Sequence, residues 1–374
     1  MKIGLLGFGF MGKTHAYAID NLRYFFGDGY DDVKIVSVCT TRVETAEKAS
    51  RIYGIPKYTT NEDDIIFDPD IDVIDICTPN IFHYESVKKA LNAGKHVYCE
   101  KPLTVTYEQA KVLSDLADEK GVKCQMVFNN RFMPAVMKAK EVVDSGRLGN
   151  TVSFRFVYRH ASCTDPNKKA GWKQNADVCG GGVLFDLGSH AIDLCRYLCG
   201  EIESVSGRSQ IYYKTRAGMN GESWNTNADE AFYMTASLKN GGVGTIEANK
   251  LAIGTNDELG FDIFGEKGAL SYSLMQPNYL RFYDGSRDNG YIGGDRGFTD
   301  IETVGRYPLP GGIFPSFKAP VGWLMGHVES YRSFISAVKE DKECCPSFRD
   351  GAAVQKIMEC AYQSDKENGV FIKI

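Results

Sequence analysis

The sequence has no excess of basic residues and no long apolar run, and each absence argues against a class of partner. Its 43 Lys and Arg residues face 48 Asp and Glu residues, so the net charge of −5 leaves no basic surface to offset a phosphate backbone. No apolar stretch approaches the length of a membrane span. We therefore expect no nucleic acid and no membrane as partner, and a small polar ligand instead.

A disulfide framework and a zinc site are also not expected, although the chain has 11 cysteines. The cysteines are scattered through apolar segments, which is typical of reduced core thiols. No Cys-x-x-Cys pair occurs, and neither the spacing of Cys195 and Cys199 nor the adjacent pair Cys344 and Cys345 matches a zinc pattern. The sequence thus predicts no bound metal.

The N-terminal residues leave no room for a secretion signal. A few residues after Met1 the chain enters a glycine-rich turn, so a charged leader, an apolar core and a cleavage site do not fit before it. Together with the lack of a membrane span, this predicts a cytoplasmic protein.

Two domains are expected because 374 residues exceed the usual size of one. Over the first third of the chain, short β-branched runs alternate with longer amphipathic stretches, as in parallel strands joined by crossover helices. Strands are predicted at residues 2–6, 34–39, 73–77, 96–99 and 123–127, and helices at residues 11–22, 45–53, 84–93 and 107–120. This α/β pattern predicts a doubly wound Rossmann domain that binds a dinucleotide over residues 1–129.

Residues 130–374 have a different pattern, which predicts an α+β domain for substrate binding and oligomerisation. A helix near residues 135–145 precedes strand-like stretches near residues 151–158, 204–213, 231–238 and 242–248, which indicates an open, mainly antiparallel sheet. Residues 288–320 are rich in Gly and Pro, and this segment is expected to be irregular. Helices near residues 327–339 and 350–368 are expected to pack back toward the first domain. An exposed sheet face favours a homodimer or homotetramer.

A Gly-x-Gly-x-x-Gly pattern lies between the first predicted strand and the first predicted helix, and consists of Gly7, Phe8, Gly9, Phe10, Met11 and Gly12. In this pattern the first glycine permits a tight turn, the second lets the backbone approach a pyrophosphate, and the third permits close packing of the helix. The helix N-terminus attracts negative charge. The pattern in this context predicts dinucleotide binding.

The second predicted strand is not followed by the carboxylate that commonly selects NAD. It ends at Cys39, and Thr40, Thr41 and Arg42 come next. Arg42 facing a 2′-phosphate favours NADP, whereas an arginine stacked on adenine accepts NAD. The predicted cofactor is therefore NAD or NADP, with NADP slightly favoured.

Two polar segments are candidates for the chemistry. Glu100 and Lys101 follow the fourth predicted strand at its carboxyl end, so Lys101 is expected near the nicotinamide, the alternative being a solvated ion pair. Asp186 and His190 share one face of a predicted helix, and the three preceding glycines are expected to let a ligand approach the backbone. Their apolar neighbours favour a catalytic pair over a surface pair or a mutually satisfied buried pair.

Together these motifs resemble the Gfo/Idh/MocA family of NAD(P)-dependent oxidoreductases over nearly the whole chain. The resemblance rests on the glycine turn, on Thr78, Pro79 and Asn80 with His83, on Glu100-Lys101-Pro102, on the segment around Asn129, on Asp186 to His190, and on the closing helix. It implies a catalytic group of Lys101, Asp186 and His190.

The resemblance also implies which residues bind the cofactor and the substrate. Residues expected to line the nicotinamide and its ribose are Thr78, Pro79, Asn80, His83 and Glu100. Asn129 is expected near the site, and Trp172, with Lys173, is expected to form a further wall for the substrate.

The implied reaction is hydride transfer between the cofactor and a secondary alcohol of a sugar, cyclitol or sugar derivative. His190 would be the base, Lys101 would hydrogen-bond the reacting oxygen, and Asp186 would orient the histidine or the substrate. One alternative is a sugar-modifying enzyme that oxidises transiently and returns the hydride, as for anhydro sugars, sialic acid derivatives or glycosides. Another is a nucleotide-sensing regulator without catalysis, against which the presence of all three catalytic residues argues.

Overall fold

The computed structural model describes residues 1–218 and 221–374, and their contacts divide the chain into two units. The first unit consists of Met1–Phe132 and Tyr307–Gln355, and the second of Met133–Arg306 and Lys356–Ile374. The predicted boundary placed all of residues 130–374 in one domain. The structure instead groups residues 307–355 with the first unit.

A parallel sheet forms the centre of the first unit. Among the described residues it has six strands in the order β3-β2-β1-β4-β5-β6, and every pairing is parallel. They are β1 (Lys2–Leu6), β2 (Lys34–Cys39), β3 (Lys57–Thr59), β4 (Val73–Ile76), β5 (His96–Cys99) and β6 (Cys124–Met126). The strand order reverses between β1 and β4, and in such sheets ligands bind at the carboxyl ends of the strands beside the reversal.

The helices of the described residues follow the predicted alternation in the first third of the chain. They are α1 (Phe10–Phe26), α2 (Val43–Tyr53), α3 (Asp63–Ile66), α4 (His83–Asn92), α5 (Tyr107–Lys120), α6 (Pro134–Asp144), α7 (Ala176–Cys179), α8 (Ser189–Cys199), α9 (Trp323–Lys339) and α10 (Phe348–Lys366). Within this described part, none combines the length and apolar composition needed to cross a membrane. The predictions missed β3 and α3, which at 3 and 4 residues are too short to show a periodicity.

Local capping signals explain why α5 has the bounds that the sequence predicted. The Thr106 side chain accepts a hydrogen bond from the backbone N–H of Gln109 at 3.3 Å, which caps the N-terminus. Gly121 ends the helix in the left-handed conformation, with φ of 64°. Both signals lie within a few residues of the helix end, so the sequence alone is sufficient to place it.

Helix α9 belongs to the first unit because it supplies part of that unit's core. Tyr331 and Phe334 are fully buried, and the Tyr331 ring lies 4.2 Å from the ring of Tyr98 on β5, centroid to centroid. The Tyr98 hydroxyl bonds to the Ser330 hydroxyl at 2.7 Å, and Gln125 on β6 donates to the Ser330 carbonyl at 2.9 Å. The apolar periodicity of α9 predicted that one face is buried but not which sheet covers it.

An open sheet forms the second unit, in agreement with the predicted fold class. Its described strands pair in the order β16-β15-β14-β13-β7-β12-β11-β8-β17, and only β7 and β12 are parallel neighbours. The strands of this sheet are β7 (Thr151–Arg159), β8 (Ile202–Gln210), β11 (Ala231–Leu238), β12 (Val243–Asn249), β13 (Glu258–Gly265), β14 (Gly268–Ser273), β15 (Tyr279–Asp284), β16 (Phe298–Glu302) and β17 (Ile372–Lys373). A separate pair consists of β9 (Thr215–Ala217) and β10 (Ser223–Asn225).

The prediction that residues 288–320 are irregular is wrong in part. This segment contains β16, which pairs with β15 through five residue pairs from Tyr279↔Glu302 to Tyr283↔Phe298. The alternating exposure of β16 marks an edge strand, and the many glycines around it mask that alternation in the sequence.

Candidate functional site

The glycine turn after β1 has the geometry that a pyrophosphate requires. Gly7 has φ of +89°, and a Cβ there would lie 2.7 Å from the Cys77 carbonyl oxygen. A Cβ on Gly12 would lie 2.3 Å from the Gly7 carbonyl oxygen, so both glycines are needed for close packing. Gly9 is exposed, a Cβ on it would meet nothing within 4 Å, and no side chain caps α1. The first backbone N–H groups of α1 are therefore not covered by a capping side chain, and the turn fits a dinucleotide.

Aromatic residues flank this turn. The Phe8 ring lies 4.9 Å from the Tyr53 ring, and the Phe10 ring, which is 74% exposed, stacks on Trp323 at 5.8 Å. Met11 lies in the first turn of α1 and is partly exposed. Contacts from these residues to the cofactor stay a prediction.

The carboxyl end of β2 has no acidic side chain among the residues that immediately follow it. The Thr40 hydroxyl donates to the Arg42 carbonyl oxygen at 2.9 Å and bonds to the Thr45 hydroxyl at 2.6 Å. Thr41 and Arg42 are exposed, and α2 begins at the next residue. This leaves Thr41 and Arg42 as the predicted contacts to the adenosine side, and NAD and NADP both open.

Two loops follow β4 and β5, and His83 joins them. Thr78 and Pro79 come after β4, and Asn80 begins a short 3-10 helix. The His83 ring is fully buried, with Nε2 2.8 Å from the Thr78 carbonyl oxygen and Nδ1 2.9 Å from the Pro102 carbonyl oxygen. Burial lowers the pKa of His83. His83 therefore supports the loops that carry the predicted nicotinamide contacts.

Glu100 is a buried carboxylate directly after β5. Because its side chain is shielded from solvent, Glu100 does not form the solvated ion pair with Lys101 that was the alternative. Its side-chain oxygen Oε2 accepts the backbone N–H of Lys101 at 3.1 Å, and Oε1 lies 3.2 Å from Nε2 of His15. Burial alone would raise the pKa of Glu100, but the hydrogen bond and charge of His15, with the charge of Lys101, lower it to about 2. Lys101 itself is partly exposed.

Two buried polar atoms at this edge have no hydrogen-bond partner in the described part of the protein. They are the Thr78 hydroxyl after β4 and the side-chain nitrogen of Asn129, which follows β6 and is 3% exposed. Buried polar groups are nearly always hydrogen-bonded. Their occurrence at the carboxyl end of the sheet fits a polar ligand there.

In the second unit, Asp186 and His190 lie on consecutive turns of different helix types. Asp186 is in a π-helical turn, Leu184–Gly188, and His190 is in the first turn of α8. The sequence predicted one regular helix that contains both residues, whereas the structure has this wider turn first. Such π turns are rare and frequently occur at functional sites. The His190 residue is 7% exposed and Asp186 partly exposed, in agreement with the expected desolvation.

Two of the three glycines before this turn are needed for packing. A Cβ on Gly181 would lie 2.6 Å from the Tyr362 hydroxyl, and one on Gly182 would lie 2.2 Å from the Asp229 backbone nitrogen. The Asp229 carboxylate accepts the backbone N–H of Gly182 at 3.0 Å and that of Leu184 at 3.3 Å. Protein atoms thus fill the space beside Gly181 and Gly182, and the expectation that a ligand approaches this backbone stays a prediction.

Two lysines hold the Asp186 carboxylate. Lys173 Nζ lies 2.9 Å and 3.0 Å from its two oxygens, and Lys250 Nζ lies 2.8 Å from one of them. Burial alone would lower the pKa of Lys250, but the Asp186 carboxylate raises it. Lys250 follows β12 and belongs to no recognisable motif, so its role could not be predicted. Trp172, beside Lys173, is 44% exposed, and its contact with substrate stays a prediction.

The Asp257 carboxylate interacts with His190 through charge, and Tyr158 contacts both residues. The Asp257 side chain accepts the Tyr158 hydroxyl at 2.7 Å and lies 2.7 Å from Nε2 of His160. The Tyr158 ring contacts the His190 ring edge-on at 5.8 Å, centroid to centroid. Burial alone would raise the pKa of Asp257, but the hydrogen bonds from His160 and Tyr158 and the charges of both histidines lower it. Tyr158 and Asp257 lie far apart in the sequence, so their proximity to His190 was not predictable.

Comparison with known protein families gives matches in both halves of the chain. Residues 1–128 match the family described as "Oxidoreductase family, NAD-binding Rossmann fold". Residues 136–271 match the "GFO/IDH/MocA C-terminal domain".

Three characterised enzymes are similar to nearly the whole chain. Levoglucosan dehydrogenase of Pseudarthrobacter phenanthrenivorans is 31% identical over 97% of this chain and 96% of the relative. Glucose-6-phosphate 3-dehydrogenase of Bacillus subtilis is 26% identical over 98% of this chain and 97% of the relative. Inositol 2-dehydrogenase of Rhizobium meliloti is also 26% identical, with 98% and 97% covered.

The solved structures lead to the same group. A levoglucosan dehydrogenase in complex with NADH and levoglucosan has a TM-score of 0.94 with this protein at 30% identity, covering 100% of this chain and 99% of that chain. A complex with NADH and L-sorbose has the same TM-score of 0.94 at 31% identity, covering 100% and 98%.

The packing of Gly182 gives a stability prediction. Gly182→Ala places a methyl group against the Asp229 backbone, which cannot yield as a flexible side chain can, and we expect a loss of about 2 kcal/mol or more in unfolding free energy. Gly297→Ala is the control, because a Cβ there meets nothing within 4 Å and a change within about 0.5 kcal/mol is expected. Denaturant unfolding measures both. A Gly182→Ala curve that coincides with the wild type would contradict the described packing.

Proposed function

Because this chain belongs to the Gfo/Idh/MocA family of oxidoreductases, we propose that it oxidises a secondary alcohol of a sugar or cyclitol with NAD or NADP as hydride acceptor. The observation that carries the proposal is the open glycine turn at the reversal of the strand order, where Gly9 leaves the N-terminus of α1 uncovered. The substrate class comes from the relatives, which are named for levoglucosan, glucose 6-phosphate and inositol. All three are rings with several hydroxyl groups.

The first unit would hold the cofactor. The backbone N–H groups of Gly7 to Gly12 would bind the pyrophosphate, Thr41 and Arg42 would face the adenosine, and the loops after β4 and β5 would hold the nicotinamide. The bound nicotinamide supplies the acceptor for the hydride. The unpartnered hydroxyl of Thr78 and the unpartnered nitrogen of Asn129 support a polar ligand at this edge.

The remaining chemistry is proton transfer and stabilisation of charge. We assign the hydroxyl proton to His190 as base, and the stabilisation of the negative charge on the substrate oxygen to the Lys101 ammonium. Asp186 would orient the substrate from a carboxylate that Lys173 and Lys250 hold in place. The assignment requires Lys101 of the first unit and His190 of the second to act on the same substrate.

The relatives favour an uncharged substrate. Levoglucosan and inositol, for which two of the three relatives are named, carry no phosphate, and the relative named for levoglucosan is 31% identical to this chain. We infer that an unphosphorylated sugar or cyclitol is preferred over a sugar phosphate.

A substrate screen tests the proposed reaction. NAD and NADP are each combined with levoglucosan, inositol or glucose 6-phosphate, and the reduced cofactor is followed by absorbance. We expect reduced cofactor to accumulate with a neutral sugar or cyclitol and less with the phosphate. A changed sugar without net cofactor reduction would instead indicate transient oxidation, and tight cofactor binding without hydride transfer to or from any polyol would overturn the proposal.

Substitutions at the proposed catalytic residues separate chemistry from cofactor binding. His190→Asn or Lys101→Ala is expected to lower kcat by roughly a hundredfold or more, because proton transfer or oxyanion stabilisation is lost, while the Kd for NADH changes little. His96→Asn is the control, since His96 begins β5 at the opposite end of the strand. Full turnover in either catalytic variant on the true substrate would remove that residue from the mechanism.

The open side of the glycine turn gives a binding prediction. Gly9→Ala adds a methyl group that meets no protein atom within 4 Å, so the unfolding free energy should hardly change. The same methyl group would occupy the space through which a pyrophosphate approaches the backbone, and we expect a roughly tenfold or greater rise in the Kd for NADH. Fluorescence titration measures the Kd. Unchanged affinity would place the dinucleotide elsewhere.

We also infer a homodimer or homotetramer, formed through the exposed face of the second unit's sheet. Tyr233 on β11 and Val243 on β12 share this face and are 45% and 47% exposed. The same face contains a cavity of about 600 Å³, lined among others by Arg155 and Glu247. An exposed sheet face of this kind is usually covered. The cytoplasmic location stays a prediction.

A further inference from the structure

One buried histidine has no place in the mechanism above, yet it contacts the residue beside Lys101. His15 lies on α1 and is 0% exposed. Its Nδ1 is 2.9 Å from one oxygen of Asp75 on β4 and 3.1 Å from the other, and its Nε2 is 3.2 Å from Glu100 Oε1. Both ring nitrogens therefore face a carboxylate oxygen.

This geometry favours a doubly protonated ring as long as both carboxylates are ionised. An ionised carboxylate only accepts hydrogen bonds, and a neutral imidazole carries a hydrogen on one nitrogen only. A neutral His15 would place a lone pair against either Asp75 or Glu100 inside the protein core, where such a contact is costly. An imidazolium satisfies both carboxylates at once.

The other hydrogen bonds of the two carboxylates agree with ionised groups. The Tyr331 hydroxyl donates to the second oxygen of Asp75, and the Lys101 backbone N–H donates to the second oxygen of Glu100. With His15 as donor to the first oxygens, each carboxylate receives a donor on both oxygens, as a charged acceptor prefers. The competing state is a carboxyl protonated on the oxygen that faces His15, which would donate to a neutral ring, and the charge of Lys101 beside Glu100 opposes that state.

Among the described residues, the other titratable groups that face His15 carry no charge. Those that face it from β4, β5 and α9 are Cys77, Tyr98, His327 and Tyr331. Burial raises the pKa of Cys77, Tyr98 and Tyr331 and lowers that of His327 to about 3, so these four groups are neutral. Burial alone would lower the pKa of His15, but the charge and hydrogen bond of the Asp75 carboxylate raise it well above the usual value.

We propose that His15 is a permanent imidazolium that keeps Glu100 ionised next to Lys101, and is thus a positioning residue for the reaction. It ties α1, whose N-terminus would bind the pyrophosphate, to the strand ends that would hold the nicotinamide. Only the effect on catalysis rests on the proposed function. The protonation state of the ring does not depend on it.

A metal ion is the competing occupant of this cluster. His15 Nδ1, Asp75 and Cys77 Sγ lie within 4.8 Å of one another, a spacing that three metal ligands can have. A metal requires a lone pair on the ring nitrogen and a thiolate. The doubly protonated ring that we propose has no lone pair to offer, so the two states exclude each other.

Nitrogen NMR of the full-length protein labelled with 15N-histidine tests the protonation state, with and without NADH. We expect both His15 nitrogens to carry hydrogen at every pH from about 6 to about 9, whereas an exposed histidine titrates near about 6.5. The loss of one signal pair in His15→Gln assigns the resonances. If that variant does not fold, single variants of the other histidines assign the signal by elimination. A ring nitrogen without hydrogen at about pH 7, with or without bound metal, overturns the proposal.

A pair of variants tests the positioning effect. In His15→Gln, Glu100 loses its buried cation and should take up a proton at higher pH, so kcat/KM should fall on the order of tenfold on the acid side and much less on the alkaline side. His327→Gln is the matched control, because His327 is also buried, lies 6.0 Å from the His15 ring and is neutral. A pH profile that His15→Gln and His327→Gln share would overturn the positioning effect. The two hypotheses fail separately. If NMR shows a doubly protonated His15 but the protein has no sugar dehydrogenase activity, the proposed function is wrong and the protonation state of His15 stands.

Discussion

The contact of one histidine ring with two buried carboxylates organises the functional edge of the first unit. His15 on α1 bonds to Asp75 on β4 and to Glu100 after β5, so the helix behind the glycine turn and the strands beside the reversal are tied at one point. Buried charges are stable only when they are paired and hydrogen-bonded. Any rearrangement that moved Glu100 out of this position would leave Nε2 of His15 without its carboxylate, and this cost holds the loop that carries Lys101 in place.

The second unit positions its polar residues by the same physical principle. Asp229 is buried and accepts backbone N–H groups at the start of the π-helical turn, and Asp186 on that turn is held by Lys173 and Lys250. Asp257, through Tyr158, lies behind His190. Asp186 is thus held by two lysines from other elements and His190 is contacted by the Tyr158 ring, which limits the motion of both side chains before a substrate arrives.

Sequence reasoning succeeded where the determining signal is local. The glycine turn follows from six consecutive residues, and each end of α5 follows from a capping residue beside it. The parallel strands follow from the alternation of β-branched runs and amphipathic stretches along the chain. Sequence reasoning failed where the partner is distant: α9 joins the first unit through Tyr98, and the packing of Asp229 against Gly182 was not foreseen. Lys250 and Asp257 were missed for the same reason, since no spacing relates them to Asp186 or His190.

Transfer of isotope from substrate to cofactor tests the central claim most directly. Carbon-deuterated levoglucosan or inositol is incubated with the enzyme and NAD or NADP, and the reduced cofactor is isolated and analysed by mass spectrometry and proton NMR. The account predicts one deuterium at C4 of the nicotinamide, because the hydride comes from the carbon that bears the hydroxyl group. Reduced cofactor without deuterium, or a converted sugar with cofactor that never carries the label, would contradict it.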